Sequence, residues 1–103
     1  MMFAVVIAAL LQSAAINNLR DSYIACLTKG LEEAKAQKMP AEASEPFFRQ
    51  SCAAVEEKFE ASLIAFDLKN KIPRKRAVTD AQLQIDDFVL TEVERYKAMT
   101  TPK

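Results

Sequence analysis

The chain has 103 residues, 50% of them hydrophobic, with 14 basic and 14 acidic side chains that cancel at neutral pH. That length suits one small globular domain, and the zero net charge removes any global field that would gather nucleic acid or an acidic substrate. With no His, no Trp and one Gly, the composition excludes imidazole chemistry and glycine-rich phosphate loops, and its helix formers point to an all-α fold.

The N-terminal stretch MMFAVVIAALLQSAA carries no charged side chain. Its apolar run from Phe3 to Leu11, followed by small residues at Ser13 and Ala15, predicts a signal peptide over residues 1–15, cleaved after Ala15. Residues 16–103 then form the single domain, exported to the periplasm or beyond. The run is shorter than the ~20 apolar residues of a spanning helix. It also lacks the Lys or Arg of an ordinary leader, which leaves an uncleaved anchor, a misplaced start or a buried N-terminal helix as alternatives.

Three helices are predicted next, separated by prolines. The first covers about residues 18–38, capped by Asn17 or Asn18, with Leu19, Tyr23, Cys26, Leu27, Leu31 and Ala34 on one face. Gly30 lies beside that face, where a missing side chain lets a neighbour approach. Pro40 ends the helix. The second covers about residues 44–70, with Ser44 as cap, Pro46 in the first turn and a stripe of Phe48, Cys52, Val55, Phe59, Leu63 and Phe66. The third covers about residues 80–98. Thr79 to Gln82 reads as a capping box, Val78 and Leu83 as a hydrophobic staple, and Ala81, Ile85, Phe88, Val89, Val93 and Tyr96 as the buried face. The expected architecture is a small antiparallel helical hairpin plus a third helix, a three-helix domain behind the leader.

Two cysteines, Cys26 and Cys52, follow the proposed cleavage site. An even pair in a short exported chain predicts one disulfide, with two buried thiols as the alternative. No His accompanies them and they lack C-x-x-C spacing, so neither a zinc site nor a redox motif is expected. A level crosslink requires either that residues 41–45 already belong to the second helix, which their composition favours, or that the first helix ends near Lys35.

No cofactor, metal site or small-molecule substrate is expected, and no catalysis. The acidic doublets Glu32-Glu33, Glu56-Glu57 and Asp86-Asp87 splay about 100° apart on a helix, and no nucleophile has a base. A bundle this small also leaves little room for a concave site. Binding is the open class. Lys69, Lys71, Arg74, Lys75 and Arg76 crowd the joint before the third helix, and an acidic run with Asp80, Asp86, Asp87, Glu92 and Glu94 follows. These cations are read as a solvated connector, or as a contact for an anionic membrane or envelope surface. Nucleic-acid binding lacks interleaved aromatics. Tyr23, Phe47, Ile64, Leu68 and Leu90, at the edges of the core faces, suit a homodimer or a protein partner. The leading expectation is a structural or protein-binding role in an exported helical protein. The plan resembles that of small exported helical proteins generally, and this likeness assigns no functional residue.

Overall fold

The computed structural model describes the backbone of residues 2–101 and the side chains of residues 14–101. Among the described residues there are four α-helices and no strand: α1 (Met2–Ala36), α2 (Ala41–Ser51), α3 (Ala53–Lys69) and α4 (Arg74–Thr100). The chain is all-α, but the division into three helices needs correction at several joints.

The helix expected over 44–70 is two helices that meet at Cys52, whose φ of −109° and ψ of 14° leave the helical region. The Cys52 amide still donates to the Phe48 carbonyl at 3.1 Å, and the Cys52 carbonyl accepts from Glu56 at 2.9 Å. The break is therefore a bend in one rod. Its start lies at Ala41 instead of Ser44, because Ala41 to Ala43 are good helix formers behind the extended Pro40. Ser44 is fully buried within α2, and its hydroxyl donates to the Ala41 carbonyl. Pro46 likewise sits inside α2, which continues through it to Ser51.

The first helix has no cap at Asn17 or Asn18, since α1 runs unbroken from Met2 across the Ala15–Ile16 bond. Ile16 is the first buried core residue among the described side chains. The apolar side chains of the proposed leader, residues 1–13, lie outside the described residues.

Both interhelical turns are built alike. Lys38 (φ 53°) and Lys71 (φ 65°) adopt the left-handed conformation just beyond α1 and α3. In the first turn Met39 N–H bonds the Ala34 carbonyl and Lys38 N–H bonds that of Lys35; in the second, Ile72 bonds Asp67 and Lys71 bonds Leu68. This is the Schellman arrangement, which satisfies the carbonyls a helix end leaves open. A proline follows each time, Pro40 and Pro73, and serves as N-cap of the next helix.

Pairings along the rods give the topology. Gly30 faces Phe48, Cys26 joins Cys52, and Tyr23 meets Glu56, so α1 runs antiparallel to the α2–α3 rod. Arg20 reaches Gln84, Tyr23 packs on Phe88, and Ala34 meets Tyr96, so α1 and α4 run parallel. The core between the three rods is aromatic. Tyr23, Phe48, Phe59 and Tyr96 are fully buried, and Phe59 and Phe88 meet edge-on with centroids 6.0 Å apart. Gly30 allows the closest approach, since a Cβ there would lie 3.2 Å from Phe48 Cδ1.

Candidate functional site

The predicted disulfide is present between Cys26 and Cys52, with Cα atoms 5.9 Å apart. Both of the conditions considered for a level crosslink are met, α1 ending at Ala36, next to Lys35, and α2 starting at Ala41, so that Cys26 lies about as far before the end of α1 as Cys52 lies after Ala41. The bond fastens α1 to the bend between α2 and α3, and no free thiol is left in the chain.

The basic joint is more helical than its sequence suggested. Only Asn70 to Pro73 are connector, while Arg74, Lys75 and Arg76 form the first turn of α4. The capping box is not formed. The helix is already under way at Thr79, whose hydroxyl donates back to the Lys75 carbonyl at 2.9 Å. Leu83 is 63% exposed and makes no staple. Instead Pro73 launches the helix, with no side chain capping its first N–H groups. Three cations thus crowd the positive end of a helix dipole, an arrangement that disfavours them unless an anion is near. All five cations are exposed. Among the described residues only Arg76 has a carboxylate partner, Asp80 at 3.6 Å.

That joint also lies at the end of the bundle from which α1 enters the core. Antiparallel pairing carries α1 from Gly30 opposite Phe48 to Ile16 beside Ser62 and Phe66, and α3 ends one turn further on, at Lys69. The five cations therefore stand, on the α3–α4 joint, at the same end of the bundle as the uncharged N-terminal stretch that leads into Ile16.

Between α2, α3 and α4 lies a polar cleft of about 250 Å³ lined by Arg49, Glu56, Glu60, Gln82, Ile85 and Asp86. Its groups are largely paired. Arg49 donates to Asp86 at 3.0 Å and to Glu45 at 3.2 Å. Burial works against the Arg49 charge, but these hydrogen bonds outweigh it and the guanidinium is held above its ordinary value. Tyr23 donates to Glu56 Oε1 at 2.9 Å, and burial together with that bond raises its hydroxyl well beyond the usual phenol range. Tyr23, expected at an assembly edge, is thus a core residue. Asp86 and Asp87 splay as their adjacency implied, Asp86 into this cleft and Asp87 towards α1.

A second groove, of about 300 Å³, runs between α1 and α4 and is lined by Ile24, Leu27, Asp87, Phe88, Thr91, Glu92 and Arg95. A bundle of this size therefore does leave room for hollows. Glu92 is the residue that sequence reading missed. It is 5% exposed, and burial raises its pKa while Arg95 works against the rise. Arg95 Nη1 lies 3.6 Å from Oε2, whereas Oε1 is buried without a hydrogen-bond partner. The signal was available in the spacing: Glu92 stands seven residues after Ile85 and four after Phe88, a core position occupied by a carboxylate.

Comparison with protein-family models, curated proteins and solved structures finds no match for this chain.

Proposed function

We propose that this protein is a non-catalytic helical binding domain of an oxidising, exported compartment, held at an anionic envelope surface by the joint between α3 and α4. One observation carries the reading: five exposed cations crowd the α3–α4 joint, at the end of the bundle where the uncharged N-terminal stretch leads in, and only Arg76 has a carboxylate partner among the described residues. Lipid phosphates would meet both the cations and the uncapped first turn of α4. The Cys26–Cys52 disulfide supports the compartment, because such bonds persist where thiols are not kept reduced. Whether the leader is cleaved or retained as an anchor is decided by the intact mass of the protein from its host. A species beginning at Met1 with reduced cysteines defeats the exported assignment.

The surface assignment is tested by co-sedimentation with vesicles of phosphatidylglycerol and phosphatidylcholine. At about 1 kcal/mol per cation near the membrane, changing Lys71, Arg74, Lys75 and Arg76 to Gln lowers affinity for anionic vesicles by two orders of magnitude or more. Added salt does the same to the native chain. Equal binding to neutral vesicles, or no response to the four substitutions, rejects it.

A second reading, self-association or capture of a protein partner, rests on Leu83 and Leu90. They are 63% and 47% exposed and stand seven residues apart on the outer face of α4. Sedimentation equilibrium of the native chain against Leu83→Glu with Leu90→Glu tests it, and an unchanged monomer mass for both removes the self-association arm.

A further inference from the structure

The groove between α1 and α4 holds a carboxylate that its own fold leaves half satisfied. Buried polar atoms in folded proteins are nearly all paired, and a charged oxygen without a donor is costly, so an exception calls for an explanation. Arg95, the nearest cation, pairs only with Oε2 at 3.6 Å, and its own side chain is 63% exposed. Oε1 has no partner at all.

The surroundings narrow what could supply that donor. The charged liners of the groove are Asp87, Glu92 and Arg95, all on α4, while α1 contributes Ile24 and Leu27. With two carboxylates against one guanidinium, the groove favours a cation over an anion or a neutral donor. A divalent metal is a poor fit, because it needs several oxygen ligands and no group of three or more His, Cys, Asp or Glu occurs among the described residues. The remaining walls are apolar: Ile24, Leu27 and the ring of Phe88. A site of about 300 Å³ is at the small end of ligand pockets.

We propose that this groove binds a primary ammonium group carried on a short apolar frame, the Glu92 carboxylate at its wall turning so that the buried Oε1 accepts from the ammonium while the frame lies against Ile24, Leu27 and Phe88. The ammonium has three N–H donors. Glu92 takes one, and the others are left to water at the mouth of the groove, where the Asp87 carboxylate keeps the field negative. A quaternary ammonium has the charge but no N–H, so it leaves Oε1 unpaired; an alcohol has the donor but no charge.

The test is a titration of the oxidised full chain, followed by the amide resonances of Ile24, Leu27, Phe88 and Glu92. The probes are n-hexylammonium, Nα-acetyl-lysine amide, n-hexyltrimethylammonium and n-hexanol. Saturable shifts with either primary amine support the site, and the tighter of the two distinguishes a free amine from a lysine side chain as the source. The two control compounds bind at least tenfold more weakly, and Glu92→Gln lowers amine affinity at least tenfold. Glu60→Gln, which alters a carboxylate in the other cleft, leaves it unchanged. Should Glu92→Gln fail to fold, the Glu92 carboxyl carbon is titrated in the native chain, where saturating amine must lower its pKa. Equal binding of hexanol or the quaternary amine overturns the proposal. So does undiminished affinity in Glu92→Gln, an unmoved Glu92 titration, or no saturable response to either amine, which would mean that water alone serves Oε1.

Discussion

Tyr96 and Met39 are 57 residues apart in sequence and are joined by a hydrogen bond of 2.6 Å from the Tyr96 hydroxyl to the Met39 carbonyl. The same hydroxyl lies 3.1 Å from the Ala34 carbonyl, so one buried phenol ties the end of α4 to the turn that closes α1. Tyr96→Phe keeps the ring and leaves these carbonyls short of a donor. The expected loss is about 1–2 kcal/mol, read from the urea midpoint with the denaturant slope unchanged. A loss within a few tenths would mean that water replaces the hydroxyl.

Lys38 and Lys71 hold a conformation that costs an ordinary residue about 1–2 kcal/mol relative to glycine. Their side chains are exposed and, among the described residues, make no hydrogen bond or ion pair. Lys38→Gly is therefore expected to raise thermal stability, and Lys71→Gly to do so by a similar amount. Each gain is reduced to some tenths of a kcal/mol or slightly more by the added freedom of the unfolded chain. Differential scanning calorimetry checks both, and a lower melting temperature in either variant contradicts the account of that turn.

Reduction of the disulfide removes a constraint on the unfolded chain. For the observed separation of 26 residues, the chain-entropy relation gives about 3.5 kcal/mol. In a domain this small that is a large share of the total. Urea unfolding with and without a reductant is expected to differ by that order, and Cys26→Ser with Cys52→Ser to reproduce the reduced state.

Glu92 makes stability fall as pH rises. Burial lifts its folded pKa above the ordinary value of 4.5, so between the two values the folded state binds more protons than the unfolded one. Stability is thus greatest below about pH 4.5 as far as this group is concerned, and declines as pH passes upward through the raised folded value. Glu92→Gln, neutral throughout, is expected to be more stable than the native chain at pH 7. The gap closes near pH 4. Melting temperatures of both proteins from pH 4 to 7 test this, and parallel curves would contradict it.

The apolar faces were legible in the sequence because helical spacing and burial are linked by simple geometry. Leu27 and Leu31 in α1, Phe48 and Phe59 in the bent rod, and Ile85 and Val89 in α4 are all buried where their periodicity put them. The disulfide pair was legible from its count and from the level crosslink a hairpin requires. Helix starts were not, because side-chain motifs compete with proline geometry. Thr79 to Gln82 has the letters of a cap, yet Pro73 and three good helix formers start α4 well before it. The left-handed turns were hidden for a related reason, since Lys38 and Lys71 occupy positions where glycine is the usual signal. Glu92 escaped because a face was traced through its apolar members, and the polar member that completes it was passed over.

The pairing directions of the three rods make the two ends of the packed bundle chemically unlike. One end carries the basic joint and lies where α1 enters the core at Ile16; the other carries the Lys38 turn, tied down by Tyr96. The 27 residues of α4 set these ends roughly 40 Å apart at about 1.5 Å per residue. A molecule with such polarity, if fixed by its basic end, stands upright as a short post. Its amine-sized groove would then open sideways along the shaft, clear of the surface and free to be reached from the surrounding solution.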